Sequence, residues 1–194
     1  MPPHTLGFFV AIGKTMFFTK KLILLIGFLF LASLLIPVAI AYASTPSAQL
    51  EKQAIGDTVD NYRKVTTLYN FLDKYNSPLK SHARTFVEQA ERYNLDYRLL
   101  AAISGVESTF GRQLPDNSYN AWGWGIYGDN MIRFASYPEA ISTISQSLRE
   151  NYINKWGAQN VYQIGRFYAA SPTWAQRVVY FMGKIEDDTL PLSL

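Results

Sequence analysis

The stretch that decides the fold is "LLAAISGVESTFG", Leu99 to Gly111. Its apolar residues Leu99, Leu100, Ile103 and Val106 recur at three- and four-residue steps, which predicts a helix from about Asp96 to Ser108. A single acid, Glu107, stands near the end of that helix and shares a face with Leu100, Ile103 and Ser104. Two readings are open: a surface glutamate that ends a helix, or a carboxyl group held partly out of water and ready for chemistry.

The surrounding segments repeat the helical period. "NSPLK" is a start signal, with Ser77 as a cap and Pro78 in the first turn of a helix over about Leu79–Tyr93. That helix puts Ala83, Phe86, Val87 and Ala90 on one side, and "NLD" breaks it. Downstream, "GRQLPDNSYNAWGWGIYGDN" is a Gly/Asn/Asp-rich loop with room for a short hairpin. In "SYPEAISTISQSLRENY", Ser136 and Glu139 form a capping box, followed by an apolar stripe of Ile141, Ile144, Leu148 and Tyr152. A short helix near Val161–Tyr168 and a last one from "SPTW" complete the pattern; the last carries Trp174, Val178, Phe181, Met182 and Ile185 at helical spacing.

The expected fold is therefore mostly α: a small helical domain over residues 78–187, with a Gly/aromatic loop or short β-hairpin lining a cleft, and a tail at 188–194. Residues 44–77 read as a linker or stalk, helical apart from "STPSAQ". There Ile55, Val59, Tyr62, Thr66 and Tyr69 lie on one helix face. A stalk, a short coiled coil and an extra helix packed on the domain all fit that pattern, and the oligomeric state stays open with it.

Charge separates the N-terminus from the rest. The chain has 194 residues, 48% of them hydrophobic and 17% charged, which bounds it to one folded domain plus accessories. Residues 1–43 hold Lys14, Lys20 and Lys21 and no acid; setting those three aside leaves 15 basic residues against 15 acidic ones. A neutral body without a basic stripe argues against nucleic acid as a partner. Lys20 and Lys21 precede an uncharged apolar run, Leu22 to Tyr42, and Ala41 and Ala43 give an A-x-A pattern before Ser44. Residues 1–43 thus read as a signal peptide or a retained hydrophobic helix anchoring the chain to the membrane, with everything beyond them extracytoplasmic. There is no cysteine, and the two histidines are His4 and His82, which makes a thiol nucleophile, a histidine-rich metal site or a Ser-His-Asp triad untenable expectations.

Chemistry concentrates at Glu107 and the loop. Desolvation and the negative end of a helix both raise a carboxyl pKa, and a carboxylic acid kept protonated near neutral pH can protonate a glycosidic oxygen. Tyr119, Trp122, Trp124 and Tyr127 fall within nine residues, interleaved with Gly123, Gly125 and Gly128. Aromatic faces suit the C–H faces of sugars, and glycines let backbone approach a ligand. The competing reading is that some of these rings fill a small core.

"LLAAISGVESTFG", "SYNAWGWGIYG", "IRFASYPEAISTISQSLRENY" and "FYAASPTWAQRV" follow the order of segments in the peptidoglycan-cleaving glucosaminidase family of the lysozyme-like superfamily, which the chain resembles over roughly Leu95 to Ile185. The resemblance implies a lysozyme-like domain of the endo-beta-N-acetylglucosaminidase type, acting on glycan strands of peptidoglycan without metal or organic cofactor. By it, Glu107 looks like the general acid, Ser108 like the residue steadying that helix end, and Tyr168 like the tyrosine facing the glutamate. Asn120 and Gly123 match the substrate-cleft segment, and Tyr119, Trp122, Trp124 and Tyr127 are expected to contact substrate beside them. Two departures stand out: "NAWGWG" replaces a Leu-Phe-Gly-Ile type of sequence, and Thr109 follows "ES" where glycine is usual. The soluble lytic transglycosylases share the "ES" helix and a later tyrosine, but their Gly-Leu-Met-Gln type of segment is missing.

A second carboxylate is usual in glycosidases. Asp116 and Asp129 are available in the loop, with Asp129 the choice and turn formation the competing role for both; Glu139 is already used as a cap. A substrate N-acetyl group can also replace it. The expected function is an exported glycoside hydrolase. The alternatives are a lytic transglycosylase and a non-catalytic wall-binding module.

Overall fold

In a computed structural model of the chain, residues 46–125 and 132–189 are described. The apolar run Leu22–Tyr42, Tyr127 and Asp129 lie outside them. The chain divides into two compact units, Met1–Gly56 and Asp57–Leu194. The first is described only over residues 46–56, which are helical and mostly exposed. Among the described residues no helix is long and apolar enough to cross a membrane.

Helix follows helix. α1 spans Pro46–Lys74, α2 Ala83–Arg92 after a 3-10 turn at Lys80–His82, and α3 Leu99–Ser108. α4 spans Tyr137–Ser147 and runs on as a π-helical segment, Leu148–Lys155; α5 spans Val161–Tyr168 and α6 Trp174–Asp187. Among the described residues there is no strand; residues 111–125 of the Gly/aromatic segment form turns and irregular loop, and residues 126–131 lie outside the described residues. The loop closes through the Phe134 amide, which donates to the Ser118 carbonyl at 2.9 Å.

The ends of these elements are set as their residues dictate. Ser136 caps α4 by accepting from the Glu139 amide, and the Glu139 carboxylate accepts in return from the Ala135 amide at 2.6 Å, one residue further back than in the usual capping box. Asn160 caps α5 through the Gln163 amide. The predicted cap Ser77 serves two masters: its hydroxyl accepts from the Leu79 amide and donates to the Phe110 carbonyl at 2.7 Å. Arg149, on the π-helical segment, donates to the carbonyls of Tyr93 and Asn94 just past the end of α2, where a cation satisfies otherwise unpaired acceptors.

α3 is the central helix, with Leu99 through Ser104 all buried. It packs on α6, α2 packs on α4, and α5 packs on α6. One position departs from the expected pattern. On α1 the stripe of Ile55, Val59, Tyr62 and Tyr69 is exposed, while Leu68, Phe71 and Leu72 enter the core with Val65 packed against it. The two stripes are offset by about one residue along the same helix, and the Tyr75–Phe110 and Phe71–Phe110 ring contacts decide between them. α1 thus contributes to the core upstream of Pro78.

Candidate active site

Glu107 sits one residue before the end of α3, and the chain leaves that helix by an unusual turn. Thr109, Phe110 and Gly111 all have positive φ, at 53°, 58° and 77°. For a β-branched residue this is strained, costing about 1–2 kcal/mol relative to the right-handed basin. The turn is held from several sides. The Ser108 hydroxyl donates to the Ala121 carbonyl at 2.7 Å, with the Ser104 carbonyl 3.0 Å away, and accepts from the Gly111 amide at 2.9 Å. The Phe110 ring is buried among Phe71, Tyr75 and Phe181. It lies so close under Gly105 that a β-carbon there would come within 2.5 Å of it. The Ser108–Ala121 bond ties the acid-bearing helix end directly to the aromatic loop.

The Glu107 carboxyl is gripped by one oxygen. The indole N–H of Trp174 donates to Oε1 at 2.6 Å. Gly123 approaches the other side: a β-carbon on it would stand 3.0 Å from Oε2, and its φ of +60° favours glycine as well. As a residue Glu107 is exposed, but its carboxyl end, lodged between Trp174 and Gly123, is partly desolvated. Burial pushes the carboxyl above the usual glutamate range, and the Trp174 hydrogen bond and the Arg177 cation pull against that. An indole is a donor only, so in the acid form Oε1 is the accepting oxygen and the proton rides on Oε2, beside the missing side chain of Gly123.

Tyr168 joins the same group. Its ring stacks on Trp174 with centroids 4.7 Å apart and planes 23° from parallel, and its hydroxyl donates to the Trp122 carbonyl at 2.8 Å. Burial, then the charge of Glu107, keep its phenol far above the usual range, so it is a neutral hydrogen-bond donor at any physiological pH. Tyr168 thus steadies both the indole that grips Glu107 and the loop residue preceding Gly123.

The other expected site residues divide. Trp124 lies half-buried against Tyr152 and Tyr168, with ring centroids 5.9 and 5.7 Å away. Tyr119 is partly exposed and meets Tyr137 edge-on at 5.1 Å. Trp122 has no exposed face: it is fully buried and its indole donates to the Leu100 carbonyl at 2.8 Å, so it fixes the loop to α3. Asn120 is nearly as buried; its amide donates to the carbonyls of Trp124 and Ile132, and its oxygen accepts from the Trp124 amide. Its polar atoms close the loop on itself. Asp116 is exposed, and its carbonyl accepts from Arg133. Trp174 and Arg177 were not expected at the site. A tryptophan in the apolar stripe of a helix reads as core, and nothing in the spacing marks its N–H as aimed at an acid.

No protein-family model matches the chain. Over 133 residues, 62% of this chain, it is 27% identical to proteins of Streptococcus pneumoniae serotype 4 (strain TIGR4) and strain R6, both provisionally named endo-beta-N-acetylglucosaminidase. It spans about a fifth of their length, 20% of one and 18% of the other. At that distance the likeness is to a glycosidase-like protein.

Proposed function

We propose that this chain is an exported glycoside hydrolase that cuts the glycan backbone of peptidoglycan, with Glu107 as general acid. The observation that carries the reading is the one-sided grip on Glu107: Trp174 occupies Oε1, while Oε2 faces the backbone of Gly123. A raised pKa keeps the group protonated at a higher pH than a free glutamate, and the free proton points at an approach that only glycine leaves open. Protonating the leaving oxygen develops positive charge on the sugar ring. Tyr168 holds the arrangement, and Trp124 offers an aromatic face to the sugar. The substrate's own N-acetyl or hydroxyl group can take the nucleophile's part. Asp129 stays the candidate for a second carboxylate. Residues 1–43 would place the domain outside the cytoplasmic membrane, as a cleaved signal or as an anchor.

The test compares the full chain, purified in mild detergent, with Glu107→Gln on isolated peptidoglycan. Glutamine keeps an oxygen acceptor for the Trp174 N–H, so the fold is retained while the acid is lost. Mass spectrometry of the fragments is expected to show reducing N-acetylglucosamine ends from the parent and at least a 100-fold loss in the variant. Anhydro-muramic ends would make it a transglycosylase using the same acid. Wall binding with no fragments from either protein would rule out catalysis.

A further inference from the structure

A glycine in the middle of a helix needs a reason, because alanine serves a helix better. Gly165 lies inside α5 and is buried, and its backbone stays out of the left-handed region, so no turn requires it. The reason stands on the neighbouring helix. A β-carbon on Gly165 would lie 3.0 Å from Cε3 and 3.4 Å from Cζ3 of Trp174, and 3.3 Å from the Ala175 methyl. Carbon atoms rest against one another at about 3.5–4.0 Å, so the indole lies too close to leave room for a side chain there. Gly183 on α6 is the contrast: a β-carbon on it would meet nothing within 4 Å.

The indole is held elsewhere too. Tyr168, three residues beyond Gly165 and so on the same face of α5, stacks on it with centroids 4.7 Å apart. Its N–H donates to Glu107 Oε1 at 2.6 Å. Cε3 and Cζ3 belong to the edge of the indole away from Nε1. A push at that edge cannot drive the N–H forward, because Oε1 already stands against it, so the ring has to turn and the bond to the acid bends. We propose that Gly165 is a positioning residue: its missing side chain lets the Trp174 indole lie against α5 at the depth where its N–H meets Glu107. The role rests on Glu107 being the general acid of the glycosidase reading. Gly165 touches no reacting atom and acts through Trp174. α5 thus offers the indole a ring at Tyr168 and a gap at Gly165.

The Trp174 N–H reports the contact directly. In a nitrogen–proton NMR spectrum of the full chain in mild detergent, Trp174→Phe identifies its signal by loss, and Glu107→Gln should abolish its titration. Arg177, always charged, and Tyr168, kept neutral, are the other ionisable groups acting on the carboxyl, so a step in the carboxyl range belongs to Glu107. In Gly165→Ala the signal is expected to move upfield, as a freed indole N–H does, and its midpoint to rise, since a weakened donor favours the neutral acid. On peptidoglycan kcat/KM should fall about tenfold. Gly183→Ala should leave signal, midpoint and rate unchanged. In a Trp174→Phe background, which removes the outer part of the indole, Gly165→Ala should change kcat/KM by less than about twofold. An unchanged signal and midpoint in Gly165→Ala, a midpoint that falls, or an equal loss in both backgrounds would overturn the role. Should Gly165→Ala fail to fold, recovery of the fold by Trp174→Phe would support the clash with the indole, and a pair that stays unfolded would overturn it. The spectrum is read without substrate, so the positioning role is decided there; the glycosidase reading fails separately, by the absence of fragments from the parent protein.

Discussion

Trp174 makes Glu107 an oriented acid, and the pH dependence follows from that contact. Catalysis by the protonated form falls as pH rises through the carboxyl pKa, so the alkaline limb of kcat/KM is expected above the usual glutamate range. Trp174→Phe removes a donor that favours the charged form; the limb should move to still higher pH, which a pH–rate profile would detect. A limb that moves down would contradict the assignment. The same shift acts on stability. Because the folded pKa is raised, the contribution of Glu107 is full at low pH and is lost as pH rises through the folded value. Gly123→Ala puts a methyl group 3.0 Å from Oε2 at a φ of +60°, and should lower kcat by an order of magnitude or more while costing about 1–2 kcal/mol in thermal denaturation. Glu107, Tyr168 and Gly123 were named together in the sequence only through the resemblance. Their mutual geometry was not legible there, because it depends on a tryptophan whose helical spacing marks it only as core.

At the scale of the element, the end of α3 is the instructive case. The sequence marks where the helix stops, yet the expected glycine after "ES" is Thr109, and the structure puts that residue in the left-handed basin. Thr109→Gly is therefore expected to stabilise the protein by up to about 1 kcal/mol in urea denaturation, the relief of strain exceeding the added chain entropy. Ser108→Ala works the other way. It leaves the Ala121 carbonyl and the Gly111 amide without the Ser108 hydroxyl, at about 1–3 kcal/mol, and loosens the link between α3 and the loop. Activity should fall by more than stability alone explains, which a measurement well below the melting transition would separate. The loop itself shows the limit of pattern reading. Four aromatics among glycines look like a ligand surface, but Trp122 and Asn120 turn inward to build the loop, since a buried indole or amide has to find its hydrogen bonds somewhere.

For the molecule as a whole, the core begins earlier than Pro78. Phe71→Ala, which removes a ring packed against Phe110 and Tyr75, should cost about 3–5 kcal/mol, whereas Tyr62→Ser on the exposed stripe of α1 should stay within about 0.5 kcal/mol. Comparable losses from both would mean that the exposed stripe is covered. The surface pairs Lys74–Asp188 and Arg98–Glu186 are solvent-screened and contribute little beside that packing. They bring the ends of α1 and α3 to the last helix without holding the fold together.

By itself the sequence determined the helical class, the cap of α4, and the neutral charge of everything after the N-terminal apolar run. These are local matters of periodicity, capping and composition, and neighbouring residues decide them. Only the tertiary structure decided which stripe of α1 is buried, which loop aromatics face water, and which side chain grips Glu107. Those depend on what packs opposite, and a residue's partner across the core leaves no mark in its own neighbourhood of the chain.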